Sequence, residues 1–290
     1  MELYLPSTIN EIKQRHNFEL SKSLGQNFIT DRHVLESIVE GAEIGEKDLV
    51  IEIGPGIGVL TAEAAKAAAK VVAIEVDKRL IPILADTLAD YDNIEVINQD
   101  ILKTDVNEII QKAREAGEFS GAVRIIGNLP YYITTPIVMK LLESGVECDS
   151  ITVMMQKEVA DRIKSGPGTK AYGAISVAVQ YYCTVSKVAD VPKEVFVPRP
   201  KVDSAVLNLK VRKSAPAELK DMSLFFECIK AGFGKRRKTL LNSMTGVRGM
   251  TKDDVKEVLE AAQIECSRRA ETLSIEEFAN IANLAADQNK

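Results

Sequence analysis

The chain has 290 residues, of which 46% are hydrophobic and 27% charged. This length is enough for one α/β catalytic domain with a small appendage. The net charge of −5 by itself argues against a nucleic-acid partner. It contains no run of about 18 apolar residues and no basic start followed by an apolar stretch, so we expect a cytoplasmic protein without a transmembrane helix or secretory signal. Four scattered cysteines and two histidines argue against a disulfide framework and a zinc site.

The first predicted element is a helix that Thr30 or Asp31 caps and that ends near residue 42. From residue 48 on, strands and helices alternate. The predicted strands are 49–53, 71–76, 94–98, 123–126, 151–155, 184–188 and 204–211. The predicted helices of this region are 59–69, 78–89, 106–116, 136–144, 157–164 and 173–181.

This alternation indicates a Rossmann-like α/β fold with a mostly parallel seven-stranded sheet. The last two strands have no helix between them and could form an antiparallel edge pair. After residue 212 a short linker leads into a segment with helical periodicity only, with helices predicted at 224–233, 237–244, 255–262 and 275–286. The sequence therefore predicts an α/β domain over residues 1–212 and a small all-helical domain over residues 213–290.

A glycine-rich turn, Gly54-Pro55-Gly56-Ile57-Gly58, follows the first apolar strand and opens a helix. Glycines let the backbone turn tightly and approach a ligand closely. A dinucleotide-binding turn has the spacing G-x-G-x-x-G, but Val59 stands at the third glycine position. The turn therefore favours an uncharged nucleoside over a pyrophosphate, although a tight strand–helix turn without a ligand has the same pattern.

Acidic residues lie at the ends of the next two strands. Glu75 lies 21 residues after Gly54, where a carboxylate can accept hydrogen bonds from both ribose hydroxyls of a nucleoside. Asp100 follows the third strand and could accept a hydrogen bond from an adenine amine. Either residue alone could be a surface carboxylate. On three successive strand ends, however, the glycine turn and the two acids predict an adenosine-binding pocket.

The fourth strand ends in Asn128-Leu129-Pro130-Tyr131. An adenine N6 amine is a poor nucleophile, and the Asn128 side-chain oxygen and the Leu129 carbonyl could accept hydrogen bonds from both its hydrogens. Pro130 stiffens the turn, and Tyr131 offers a ring on which a base can stack. A β-turn with a packed tyrosine is the alternative. Beside an adenosine pocket, the motif indicates S-adenosylmethionine-dependent methylation of an amine.

Positive charge is concentrated between residues 193 and 248. This segment has 13 Lys and Arg and 5 Asp and Glu, a balance of +8 against −13 for the remainder. The asymmetry indicates a confined surface for a polyanion, with a solvated basic helix as the alternative. The candidate RNA contacts are Arg199, Lys201, Lys235, Arg236, Arg237, Lys238 and Arg248.

With these motifs, the chain resembles the small-subunit (16S) ribosomal RNA adenine N6-dimethyltransferase family, whose members are class I methyltransferases, over nearly its whole length. The resemblance rests on the segments SLGQNFI at 23–29, EIGPG at 52–56, QD at 99–100, NLPY at 128–131, FVPRPKVDS at 196–204 and FGKRRKTL at 233–240.

The resemblance implies S-adenosylmethionine as the cofactor, with contacts from Asn27, Ile29, Gly54, Glu75, Asp100 and Asn128, to which the glycine turn adds Gly56. It implies that Phe196 is the second aromatic residue beside a target adenine flipped out of its stack. The implied partner is 16S rRNA in an immature small ribosomal subunit. Two adjacent adenosines in its 3′-terminal hairpin loop would each receive two methyl groups. We expect a monomer without a metal.

Three other functions are compatible with parts of the sequence. A large-subunit (23S) rRNA adenine methyltransferase of the macrolide-resistance type shares the cofactor motifs, but the segment at 233–240 favours the small-subunit enzyme. A nicotinamide oxidoreductase would explain the glycine turn and Glu75, but not Val59 or Asn128. A non-catalytic ribosome assembly factor would explain the basic segment, but not the intact motif at 128–131.

Overall fold

The computed structural model describes residues 1–20, 25–235 and 237–288. The chain forms two compact units. The sheet unit contains Met1–Ala160 and Val185–Val211, and the helical unit contains Asp161–Thr184 and Arg212–Lys290. Within the described residues, no helix is both long enough and apolar enough to cross a membrane.

The strands are β1 (Phe28–Ile29), β2 (Leu49–Ile53), β3 (Lys70–Glu75), β4 (Ile94–Asn98), β5 (Val123–Asn128), β6 (Ser150–Gln156), β7 (Cys183–Val191), β8 (Phe196–Val197) and β9 (Ser204–Val211). The α-helices are α1 (Pro6–Arg15), α2 (Arg32–Gly41), α3 (Val59–Ala65), α4 (Ile81–Thr87), α5 (Val106–Glu115), α6 (Tyr131–Glu143), α7 (Lys157–Lys164), α8 (Ala174–Tyr182), α9 (Met222–Gly234), α10 (Leu240–Met244), α11 (Lys252–Ala261) and α12 (Ile275–Gln288).

The central sheet has the strand order β4-β3-β2-β5-β6-β9-β7. The neighbours from β4 to β6 run parallel, and β9 is antiparallel to β6. This confirms the predicted mostly parallel seven-stranded α/β sheet. The last two predicted strands are neighbours at one end of this sheet, with β7 as the edge strand and β9 between β7 and β6. Along the chain, strand order reverses between β2 and β5, and ligands bind at the carboxyl ends of such strands.

A second, two-stranded sheet joins the N-terminal segment to the loop before β9. β1 pairs antiparallel with β8, in the register Phe28 with Val197 and Ile29 with Phe196. Two residues per strand are too few for an alternating pattern, so this pairing cannot be predicted from the sequence pattern. The helix α1 was also not predicted. Its Ile9 and Ile12 are buried in the core of the sheet unit.

Helix α6 begins at Tyr131, five residues before the predicted start at residue 136. The Pro130 carbonyl accepts hydrogen bonds from the backbone N–H groups of Ile133 and Thr134, and it also accepts one from the Thr134 hydroxyl. These bonds start the helix ahead of Pro136, which lies inside it. The motif at 128–131 thus includes the last residue of a strand, a turn and the first residue of a helix.

The helical unit has its own core, in which Phe225, Cys228 and Phe278 are buried. Residues 161–184 belong to this unit rather than to the sheet unit. The reason is packing, because Tyr172, Val177 and Tyr181 lie in the same apolar cluster as the C-terminal helices. The predicted division after residue 212 assigned this segment to the α/β domain. The two domains themselves stay a prediction.

Candidate active site

The carboxyl ends of β2, β3, β4 and β5 open onto one cleft of about 950 Å³, a volume that includes its open mouth. All seven predicted cofactor contacts line the cleft, namely Asn27, Ile29, Gly54, Gly56, Glu75, Asp100 and Asn128. The structure therefore brings together residues that the sequence separates by up to 101 positions.

The glycine turn needs glycine for two different reasons. Gly54 and Gly56 have φ angles of 69° and 63°, a backbone conformation that other residues rarely adopt. At Gly56 there is also no room, since an added Cβ would lie 2.8 Å from Cε1 of Phe28. At Gly54 the nearest atom would be 4.0 Å away, on Leu129. The turn is thus packed at Gly56 and open to a ligand at Gly54.

Glu75 is held in place at the end of β3 by two backbone groups. Its carboxylate accepts hydrogen bonds from the N–H of Asp77 over 2.7 Å and from the N–H of Gly56 over 3.3 Å. The side chain is only 4% exposed, and burial raises the pKa of Glu75, although these backbone hydrogen bonds lower it in part. A carboxylate held in this way still has free lone pairs, which can accept hydrogen bonds from the two hydroxyls of a diol.

Glu52 is a further acid in the wall of the cleft, and the sequence motifs predict no separate role for it. It is 1% exposed, and its Oε2 has no hydrogen-bond partner among the described residues. Burial, with a contribution from the Glu75 carboxylate, raises the pKa of Glu52 to about 8. A signal was present in the sequence, because Glu52 is a lone acid inside the otherwise apolar strand β2.

Asp100 caps the short 3₁₀ turn Ile101–Lys103, with its Oδ1 accepting from the N–H of Leu102 over 3.0 Å. The same turn is held from the other side by Lys140 of α6. The Lys140 ammonium donates to the carbonyls of Ile101 and Thr104, both over 2.7 Å. These bonds connect the Asp100 turn to the helix that starts at Tyr131.

Asn128 donates from its side-chain amide, Nδ2, to the backbone carbonyl of Asn27 over 2.8 Å. A carbonyl oxygen can only accept, so this bond settles which end of the amide is nitrogen and leaves Oδ1 as the acceptor end. The Asn27 side chain donates in turn to the Gly25 carbonyl over 3.0 Å. Gly25 lies directly against Pro130, since an added Cβ would come within 2.9 Å of Pro130 Cβ.

The aromatic residues predicted to flank the target base are differently placed. Tyr131 is half-buried beside the cleft, and its hydroxyl lies 2.7 Å from the hydroxyl of Ser204. It does not line the cleft, whereas the adjacent Tyr132 does and is 64% exposed. Phe196 is 3% exposed in the core of the sheet unit. The contact between Phe196 and a base therefore stays a prediction. It would need a face of the Phe196 ring that is covered in this structure.

The predicted RNA contacts fall into two groups. Arg199 forms an ion pair with Glu194, and Arg248 binds both Asp221 and Glu227, which raises the Arg248 pKa. The guanidinium groups of both arginines thus already have acidic partners. Four other candidates are exposed and form no ion pair among the described residues, namely Lys201, Lys235, Arg237 and Lys238. Arg236, like Ser23 and Leu24 of the first family motif, lies outside the described residues.

Comparison with known sequences decides the family. The sequence profile of the ribosomal RNA adenine dimethylase family matches residues 17–287. The chain belongs to this family. Membership in the ribosomal RNA adenine dimethylase family confirms the predicted enzyme class, an rRNA adenine methyltransferase, and leaves no place for the oxidoreductase alternative.

Curated relatives of the dimethylase family match nearly the whole chain. The Ribosomal RNA small subunit methyltransferase A of Clostridioides difficile is 53% identical over 274 residues, 94% of this chain and 93% of its own. The protein of the same name from Alkaliphilus metalliredigens is 53% identical over 283 residues, 97% of both chains.

Solved structures of similar proteins agree with the fold. A dimethyladenosine transferase from Plasmodium falciparum is 26% identical with a TM-score of 0.74, over 87% of this chain and 95% of its own. The 23S rRNA methyltransferase ErmE is 26% identical with a TM-score of 0.67, over 89% of this chain and 99% of its own.

Proposed function

We propose that this dimethylase transfers methyl groups from S-adenosylmethionine to N6 of two adjacent adenosines in the 3′-terminal hairpin loop of 16S rRNA. Four transfers complete the reaction, and the substrate is the immature small ribosomal subunit in the cytoplasm, bound by a monomer. The observation that carries the proposal is the orientation of Asn128. Its amide is fixed with Oδ1 as the acceptor end in the same cleft as Glu75 and Asp100.

The cleft fits the proposed donor. The open space above Gly54 and the positive φ of that residue suit close approach of a ligand to the backbone. Glu75 would accept hydrogen bonds from the two ribose hydroxyls, and Asp100 from the adenine amine. When bound, S-adenosylmethionine supplies an activated methyl group on a sulfonium centre.

Asn128 and Leu129 would prepare the acceptor amine. Two acceptors, the Asn128 Oδ1 and the Leu129 carbonyl, can each take one N–H of the amine, which favours the pyramidal nitrogen that has a free lone pair. No strong base is needed before transfer, because methylation itself acidifies the amine. Catalysis then depends on orientation and on hydrogen-bond acceptors that are already in place.

The target adenine must leave its stack, since a paired or stacked base does not expose N6 to a cleft. Tyr131, beside the cleft, is the proposed stacking residue. Four exposed cations, namely Lys201, Lys235, Arg237 and Lys238, are the proposed phosphate contacts. Arg248 and Arg199 would have to give up their carboxylate partners to take part.

One observation favours a second substrate, 23S rRNA. The structure of ErmE, a 23S rRNA methyltransferase, aligns with 89% of the chain described here. The relatives named for the small subunit are about twice as similar in sequence, at 53% against 26% identity. The small-subunit assignment therefore comes first.

The test is a methyl-transfer assay with isotopically labelled S-adenosylmethionine. Immature small subunits and free 23S rRNA are offered in parallel, and the modified adenosines are mapped by mass spectrometry. We expect dimethylation of two adjacent adenosines in the 3′-terminal hairpin of 16S rRNA. Modification of 23S rRNA alone would refute the assignment to the small subunit.

A further inference from the structure

The phenol of Tyr131 is tied to one buried hydroxyl. The Tyr131 and Ser204 hydroxyl oxygens are 2.7 Å apart, and Ser204 is fully buried. A tyrosine ring has two side-chain torsions, and a hydrogen bond at its far end restricts both of them. Ser204 thus controls the orientation of the ring that is proposed to receive the target base.

Ser204 itself is held by the central sheet. It is the first residue of β9 and is paired with Gln156 at the end of β6. The carbonyl of the preceding residue, Asp203, accepts a hydrogen bond from the N–H of Lys157 over 3.0 Å. A backbone bonded on both sides of Ser204 leaves the hydroxyl little freedom to follow a moving ring.

Asp203 connects the same point to the segment of the second predicted aromatic residue. Its Oδ1 accepts from the N–H of Lys193 over 3.1 Å, at the start of the 3₁₀ turn that leads to Phe196. The Val195 carbonyl at the end of that turn accepts from both the N–H and the hydroxyl of Thr30. The start of β9 is therefore attached to Tyr131 and to the turn before Phe196.

We propose that Ser204 is a positioning residue for methyl transfer: its hydroxyl holds the Tyr131 ring in the orientation that receives the target adenine. The proposal rests on the proposed stacking role of Tyr131. It predicts that the Tyr131–Ser204 bond contributes to turnover and does not contribute to donor binding, because neither residue lines the donor cleft.

The test is a double-mutant cycle on turnover. Tyr131→Phe removes the phenol and keeps the ring, while Ser204→Ala removes its partner. Each variant is expected to lower kcat about tenfold, the effect of one hydrogen bond of ordinary strength. Because both substitutions remove the same bond, the double variant should be no slower than either single variant. The donor Kd should stay within twofold of the wild-type value.

Ser150→Ala is the matched control. Ser150 is a buried serine on the adjacent strand β6, where its hydroxyl accepts from Arg124 over 3.2 Å. It should show the stability cost of losing a buried seryl hydroxyl, with kcat unchanged. Ser204→Thr retains a hydroxyl. At a melting temperature equal to that of Ser204→Ala, it should recover part of the turnover rate that the alanine variant loses.

Additive losses in the double variant would overturn the proposal, as would wild-type turnover in Ser204→Ala or a loss of donor affinity equal to the loss of rate. The cycle is measured on whichever rRNA the wild-type protein methylates. A failure of the small-subunit assignment therefore shows itself in the wild-type protein, separately from a failure of the positioning role.

Discussion

The side-chain amide of Asn128 donates to the backbone carbonyl of Asn27, 101 residues earlier in the chain. The bond links the strand end that carries the proposed acceptor chemistry to the N-terminal segment that also lines the cleft. It forces the amide into one of its two orientations, with Oδ1 as the acceptor end. Acceptor position is therefore set by the fold before any substrate binds.

Asn128→Ala should lower kcat by a factor of about 10² or more, because it removes a preorganised hydrogen-bond acceptor from the proposed transition state. RNA affinity should change less than twofold. The measurement is single-turnover methyl transfer together with RNA binding in the same buffer.

Asn93→Ala is the control for that experiment. The Asn93 amide also donates to backbone carbonyls of the sheet unit, those of Ala65 and Ala68, but Asn93 does not line the cleft. The Asn93→Ala protein should be less stable than the wild-type protein and should transfer methyl groups at the same rate. Equal rates for Asn128→Ala and the wild-type protein would remove Asn128 from the mechanism.

Gly56→Ala should abolish measurable donor binding, and Gly117→Ala should not. Both glycines have a positive φ, of 63° and 70°, so both substitutions carry the left-handed strain of about 1–2 kcal/mol. Only at Gly56 does the new methyl group meet Phe28 at 2.8 Å, whereas at Gly117 there is no atom within 4 Å. Melting temperatures of both variants report the backbone strain that they share. Calorimetric titration with S-adenosylmethionine reports the loss of donor binding, which is expected only where the new methyl group meets Phe28. Tight donor binding by a folded Gly56→Ala protein would contradict this account of the turn.

Glu52→Gln should gain stability over the wild-type protein as the pH rises. Burial raises the pKa of Glu52 to about 8 from its usual 4.5, so between these values the native state holds a proton that the unfolded state has released. Folding then takes up a proton, and stability is lost with rising pH by up to about 1.4 kcal/mol per unit. The neutral glutamine avoids this loss.

Melting temperatures of the two proteins, measured from pH 5 to pH 9, give the readout for Glu52. The difference in favour of the variant should grow up to a pH near 8 and then level off. Glu46→Gln, at an exposed position, controls for the loss of one negative charge. A difference that stays constant from pH 5 to pH 9 would mean that Glu52 is already ionised in the native protein at pH 5.

Lys238→Ala and Lys235→Ala should each weaken RNA binding and lower the slope of log K against log salt by about 1. Both side chains are exposed, and among the described residues neither forms an ion pair, so their charge is available to a phosphate. Arg248→Ala should instead lower the melting temperature, since it leaves Asp221 and Glu227 without their cation. A flatter salt dependence in Arg248→Ala than in the lysine variants would reverse this assignment.

The sequence was sufficient for the sheet and for the donor side of the cleft. Strands such as β2 and β3 are mostly apolar, and that pattern is local. The residues that follow them, Gly54, Glu75 and Asp100, reach one edge of the sheet because parallel strands end there together. Five of the seven predicted contacts line the cleft for this reason, whereas Asn27 and Ile29 reach it from the N-terminal segment.

Local patterns failed where a boundary or a pairing depends on distant partners. Hydrogen bonds to the Pro130 carbonyl set the start of α6. In the sequence, Pro136 suggests a later start, although it lies inside the helix. Residues 161–184 alternate like the rest of the α/β region, but their apolar side chains pack among the C-terminal helices. A charge count could not show that Arg248 is bound to carboxylates 21 and 27 residues away.

The sequence by itself determined the class of fold, the strand ends that carry the donor site and the identity of the acceptor motif, because periodicity and short motifs depend on neighbours along the chain. Only the tertiary structure decided which end of the Asn128 amide accepts, which hydroxyl holds Tyr131 and which cations are exposed. Those properties depend on hydrogen bonds and ion pairs between residues far apart in sequence, and these form only when the chain has folded.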